Sequence, residues 1–271
     1  AALTWYAYLS GDDVSGLAYQ PSAVAAYRDD INASVNGAIA DPYKVTKCAS
    51  YDKSKSIKVL SIGHSFSVDV MGTYLYQMLE QAGYEDITIG YLYYPGCQLS
   101  RHWEYISTNT NGHERYGKNE SGTWVTKNNT AALTALQEEE WDFVTVQSSP
   151  DYIGGQTISG FKLGVNSEGQ QITLNPPMTE YECIIPITDW IKANAKNDMV
   201  KTDYNMIWSF SQGCDLWSGA AYHKNPTTGK YDQMVMYNNI ITQTKLNVLN
   251  HEAVNSIIPC GTSIQNGRTS F

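Results

Sequence analysis

No two cysteines in this chain are spaced as Cys-x-x-Cys, which excludes a thiolate zinc site of that pattern. The five cysteines, Cys48, Cys97, Cys183, Cys214 and Cys260, stand far apart, and their odd number forbids complete internal pairing. One disulfide is allowed, with nothing to choose its partners. No apolar run approaches the ~20 residues that span a bilayer. Basic residues are few, 18 Lys and Arg against 27 Asp and Glu, giving a net charge of −9. They form no cluster, so neither nucleic acid nor an anionic membrane is expected as a partner. There is no glycine-rich phosphate loop or Walker lysine, which argues against a nucleotide binder. Phenylalanine is scarce, five against 20 tyrosines and seven tryptophans. Aromatics with a polar edge suit carbohydrate surfaces and interfaces, although a tyrosine-rich core has the same composition. The opening Ala1-Ala2-Leu3-Thr4-Trp5-Tyr6 lacks the basic n-region of a secretory leader. Low lysine with abundant Asn, Thr, Tyr and Gly fits a secreted or cell-surface protein.

What the chain does contain is alternation. Its 271 residues suffice for one large α/β domain. Leu3, Tyr6 and Leu9 recur at helical spacing until Gly11-Asp12-Asp13. A second helix is expected from Pro21 to Ile39, with Ser22 as N-cap and Val24, Tyr27, Ile31, Val35 and Ile39 on one face. Asp41-Pro42 stops it, and residues 48–56 read as a linker. Strands are then expected at 57–62, 86–93, 142–147, 204–210 and 254–259. Helices are expected at 66–82, 130–139, 178–196, 231–249 and 261–269. A long polar excursion over 94–128 holds a hairpin at Gly122-Thr123-Trp124-Val125, and a second loop covers 148–176. This order predicts a three-layer α/β/α fold with a flavodoxin-like parallel sheet. Ligands in such sheets gather at the carboxyl ends of the strands. Ser65, Gly96, Gln147 and Phe210-Ser211-Gln212 are therefore expected to share one edge.

The densest chemical signal is the junction Gly63-His64-Ser65-Phe66-Ser67. A serine on a sharp strand-to-helix turn presents its hydroxyl as a nucleophile, with the N–H groups of the new helix facing a developing oxyanion. The alternative is a tight turn with an N-cap serine.

Further motifs follow in order. They are Tyr91-Leu92-Tyr93-Tyr94-Pro95-Gly96-Cys97-Gln98-Leu99-Ser100-Arg101-His102-Trp103, then Trp141-Asp142-Phe143-Val144-Thr145-Val146-Gln147, then Asp232-Gln233-Met234, then the stretch from Ile258 to Ser270. Together they resemble the SGNH (GDSL-type) hydrolase superfamily, and within it a bacterial family whose first block usually reads Gly-Asn-Ser-Phe-Ser. The resemblance spans about 57–271. It implies a serine esterase acting through an acyl-enzyme, most plausibly on O-acetylated carbohydrate, with no metal or organic cofactor. It implies Ser65 as nucleophile, the Ser65 and Gly96 N–H groups as oxyanion donors, and Gln147 as a third donor where the superfamily often has Asn. Arg101, His102 and Trp103 would line a substrate pocket, with the indole against a sugar. The other reading is a salt bridge, a satisfied histidine and a core tryptophan. Gln265, Asn266 and Arg268 would support the site or cap a helix. His64 replaces the usual Asn, and its place beside Ser65 argues against a role as base.

The superfamily takes its base from a late Asp-x-x-His block, which this sequence does not contain. His113, His223 and His251 match no such block. Residues 1–47 resemble instead the closing tail of the same domain type, so 57–271 reads as a domain without its final segment. That tail is expected to pack on this chain's own sheet or on a neighbour's, the latter giving head-to-tail self-association. The rival to an esterase is a non-catalytic assembly or carbohydrate-binding protein on the same scaffold.

Overall fold

The structure is a computed structural model that describes residues 2–17, 28–40, 56–149, 163–165, 171–172, 178, 180–214 and 223–270. Ser22, Val24, Tyr27, Cys48, most of the 48–56 linker and most of the 148–176 loop lie outside those residues.

Strand β1 (Ser56–Gly63) is central. It pairs in parallel with β2 (Asp86–Tyr93) on one side and β5 (Phe143–Val146) on the other. Strands β8 (Lys201–Asn205) and β9 (Ser256–Ile258) continue the parallel set. Its order, β2-β1-β5-β8-β9, is that of a flavodoxin-like sheet. Beyond β2 the hairpin β3 (His113–Asn119) and β4 (Trp124–Thr130) adds two antiparallel strands, for seven in all. Its turn includes Gly122 at φ +80, as the sequence suggested. Strands β6 (Leu163–Val165) and β7 (Gln171–Ile172) make a separate two-stranded piece.

Helices cover both faces. Over one lie α5 (Leu99–Ser107), α6 (Ala132–Leu136), α7 (Ile184–Asn194) and α8 (Gln233–Gln243). They enclose Leu60, Ile62, Leu92, Val144, Val146, Tyr204 and Ile257. Over the other lie α1 (Ala2–Ser10), α3 (Ser65–Val70), α4 (Tyr76–Gln81) and α9 (Cys260–Thr269). This side buries Trp5, Leu9, Ile57, Val59, Ile87, Ile89, Phe143 and Ile258. Helix α2 (Arg28–Ala40) packs outside α1 and α9. The described part of the N-terminal segment thus docks on this chain's own sheet, with Trp5 fully buried.

Helices α3 and α4 are one helix interrupted by a π-turn, Met71–Leu75, whose Gly72 carbonyl accepts from Trp124 Nε1 at 3.1 Å. Gly83, at φ +89, closes the helix.

Two expectations are corrected. The fourth strand is Lys201–Asn205, not 204–210. The apolar Met206-Ile207-Trp208 resembles a strand but lies beyond the last ladder pair, Asn205 with Ile258. The polar excursion after β2 also contains helix α5. Its buried stripe, Leu99, His102 and Ile106, has a histidine in a core position, which hides the helical period.

Candidate active site

The carboxyl ends of β1, β2 and β5 meet at one edge, and main-chain bonds hold the register there. The Tyr94 N–H donates to the Gly63 carbonyl at 3.3 Å, and the Gln147 N–H donates to the Ile62 carbonyl at 3.0 Å. Residues Ser65, Gly96 and Gln147 therefore leave three adjacent strands side by side. Phe210-Ser211-Gln212 leave the next strand, β8, further out than expected.

Ser65 is the first residue of α3 and is exposed, and its side chain makes no hydrogen bond among the described residues. As a first-turn residue its N–H has no intrahelical acceptor. The N-cap is His64, in extended backbone at φ −128 and ψ −158, with Nδ1 accepting from the Phe66 N–H at 3.4 Å. Its Nε2–H donates to the Ser148 carbonyl at 2.9 Å. Burial drives the His64 pKa down to about 4 against the opposing pull of that bond, so the ring is neutral and turned inward.

Gly96 occupies the left-handed region at φ +52 in an exposed turn, and a Cβ there would meet open space. Gln147 is fully buried. Its Oε1 accepts from Ser67 Oγ at 2.7 Å, while Nε2 has no partner among the described residues. That is a buried donor still owed an acceptor. Gly63 makes the packing possible, because a Cβ there would collide with Ser67 Oγ and crowd Gln147 Cβ at 3.4 Å.

The expected substrate-binding residues divide. His102 is fully buried, its Nδ1 facing His113 Nε2 at 3.0 Å, so it lines no open pocket. Burial, then the neighbouring His113, keeps its pKa well below the ordinary value. Arg101 is half-buried and donates to the Tyr94 hydroxyl at 2.9 Å. Trp103 is partly buried against the apolar core. Gln265 accepts from Gln233 Nε2 at 3.0 Å, and Asn266 Nδ2 donates to the Ser34 carbonyl of α2 at 3.5 Å. Arg268 donates to the Ser209 carbonyl at 2.7 Å and the Phe210 carbonyl at 3.4 Å. All three α9 residues therefore brace neighbouring segments. The sequence reading missed Phe66 and Trp208, whose rings stack at 4.3 Å with 3° between planes, with Phe210 edge-on to Phe66 at 6.4 Å. It also missed Glu180, a buried carboxylate with no periodic signal. Among the described residues no group of three or more His, Cys, Asp and Glu could hold a metal, and Cys97, Cys183, Cys214 and Cys260 form no disulfide.

Sheet and edge together define a three-layer α/β/α protein whose polar residues collect at the carboxyl ends of its central strands. The family described as a domain of unknown function, DUF4886, matches residues 58–271, and the chain belongs to that family. Similar in structure is a DUF4886 family protein from Bacteroides uniformis ATCC 8492, with a TM-score of 0.57 and 25% identity over 79% of this chain and 71% of that one. No curated protein matches. No helix among the described residues is long and apolar enough to cross a membrane.

Proposed function

We propose that this chain is an SGNH-like serine esterase, with Ser65 as nucleophile and acetyl esters on carbohydrate, or other small esters, as substrates. The observation that carries the reading is the exposed, unbonded Ser65 side chain at a helix start, beside the Gly96 turn and the unpartnered Gln147 amide. Ser65 Oγ attacks the ester carbonyl carbon. The resulting oxyanion takes hydrogen bonds from the Ser65 and Gly96 N–H groups, with Gln147 Nε2 as third donor. Each such donor typically contributes about 2.7–4 kcal/mol to lowering the barrier. Expulsion of the alcohol leaves an acyl-serine, which water hydrolyses. Export of the protein accords with this reading and with the composition.

The attack needs a base for the Ser65 proton. No imidazole among the described residues bonds to Ser65. His64 is committed to Ser148, His102 and His113 to each other, and His251 Nε2 lies 3.9 Å from Asp189. His223 is buried, its carbonyl accepting from the Asp232 N–H. This favours a second reading, a non-catalytic carbohydrate-binding or assembly protein on the same scaffold. Hydrolysis of p-nitrophenyl acetate by the full-length protein separates the two. Turnover abolished by Ser65→Ala supports the esterase. Equal rates in wild type and variant, with extended polymers by negative-stain microscopy, support assembly.

A further inference from the structure

One buried carboxylate joins the start of the helix after Gly96 to the residue after Gln147, which in turn holds the residue before Ser65. Glu180 is buried. Its Oε1 accepts from the Leu99 N–H and its Oε2 from the Ser100 N–H at 3.2 Å. These are the first two helical residues of α5, a nine-residue helix that begins three residues after Gly96. The N-cap residue Gln98 makes no side-chain capping bond to α5. Glu180 thus takes over that task from a distant point in the chain. A carboxylate there also meets the positive end of the helix dipole.

The same Oε1 lies 3.5 Å from Ser148 Oγ, a hydroxyl also directed at the Ser149 carbonyl at 3.2 Å. Ser148 directly follows Gln147, and its carbonyl is the one that holds His64 Nε2. A connected path therefore runs from the α5 start through Glu180 and Ser148 to His64, the residue before Ser65. It touches each of the three loops that supply a prospective oxyanion donor, and it touches none of the donors themselves.

We propose that Glu180 is a positioning residue that sets the spacing of Gly96, Gln147 and Ser65 by tying the start of α5 to Ser148. Its catalytic consequence rests on the esterase reading, and its placement of the Gly96 turn does not. Burial is a cost to the carboxylate that bonds from Ser100, Leu99 and Ser148 oppose, so the group is retained against a penalty. In Glu180→Gln one N–H of α5 faces an amide N–H₂ instead of an oxygen. Glu180→Asp keeps the charge and shortens the reach. Ser148→Ala removes only the hydroxyl link.

The test uses the full-length protein, with hydrogen exchange of the peptide 94–100 read beside p-nitrophenyl acetate kinetics. Expected for Glu180→Gln is exchange in 94–100 at least ten-fold faster, with the β1 and α7 peptides unchanged. kcat falls about 100-fold at constant KM, the size of effect that ångström-scale misplacement produces. Glu180→Asp recovers part of both, and Ser148→Ala shows a smaller change of the same pattern. Unchanged exchange in 94–100 overturns the proposal. So does a loss confined to KM, or faster exchange spread over every peptide in Glu180→Gln with none in Ser148→Ala. Should the wild type show no Ser65-dependent turnover, the esterase reading falls, and exchange at 94–100 still decides whether Glu180 places that turn.

Discussion

The two faces of the sheet are built from the same strands and differ in kind. Under α5, α6, α7 and α8 the strands present Leu60, Ile62, Val144, Val146 and Ile257, with Tyr204 and Tyr181 satisfying each other's hydroxyls at 2.9 Å. Under α1, α3 and α9 the strand bases are equally apolar, with Ile57, Val59, Ile89 and Phe143. One step toward the carboxyl ends the composition changes. Ser61, Thr145, Asp203 and Ser256 stand in register across β1, β5, β8 and β9, all buried. Adjacent strands are about 4.8 Å apart, so the row is continuous. The next step on that face brings Gly63, Gln147 and Asn205, at the edge where Ser65 sits. Because side chains alternate along a strand, this polar row lies on one face and runs toward the candidate site, whereas the buried polar strand residues of the other face, Thr88 and Thr202, form no such row. The first face is mainly aliphatic packing, and the second carries a continuous polar row to the edge of the candidate site.

The largest expected effect tests whether the N-terminal helix belongs to that second face. Trp5→Ala should cost about 3–5 kcal/mol, the range for emptying a large buried aromatic site, read by urea unfolding. A cost under about 1 kcal/mol would mean that α1 is an accessory to a sheet stable without it.

Next comes the pH response of the polar row. Burial raises the Asp203 pKa to about 6, against bonds from Ser256 and Tyr8. The folded state then keeps a proton that the unfolded chain releases near 3.9. This contribution stabilises below about pH 4 and is lost as pH rises to 6, by about 3 kcal/mol at 1.36 kcal/mol per unit. His64 runs the other way. Its folded pKa of about 4 lies below the unfolded 6.5, so its contribution is present above 6.5 and lost as pH falls to 4. The two largely cancel between pH 4 and 6. Asp203→Asn removes one side, and its stability should fall more steeply than wild type as pH drops from 6 to 4. Parallel curves for the two proteins would show that the row does not titrate as a buried acid.

Gly63→Ala should cost about 1–3 kcal/mol by overpacking against Ser67 and Gln147. It should also lower any esterase rate, since the Gln147 amide would shift. A variant as stable as wild type would show slack between those two side chains. The smallest structural effect is expected at Ser65→Ala, within about 0.5 kcal/mol, because an exposed, unbonded hydroxyl holds nothing in place.

Much of this was legible in the sequence, unevenly. The β1 run ending at Gly63-His64-Ser65 marks its own strand-to-helix turn, and the strand-helix alternation after it fixes the fold class. The position of Gln147 follows from the apolar Phe143-Val144-Thr145-Val146. Helix α5 was hidden because a buried imidazole, His102, occupies an aliphatic position. Strand β8 was displaced because its buried face carries Asp203 and Asn205, so the apolar segment just beyond it looked the better strand. Glu180 left no trace, since a capping residue supplied from eighty positions away in the chain has no local pattern. Arg268 and Gln265 were expected to support the site or to cap a helix, and their bonds to Ser209 and Gln233 show them bracing neighbouring segments.

Everything functional turns on the Ser65 hydroxyl being open and reactive. Treating the full-length protein with a fluorophosphonate and locating the adduct by tandem mass spectrometry tests this most directly. The account predicts one phosphonyl group per chain, on Ser65, and no adduct in Ser65→Ala. An unlabelled protein, or an adduct on another residue with Ser65 untouched, would contradict it.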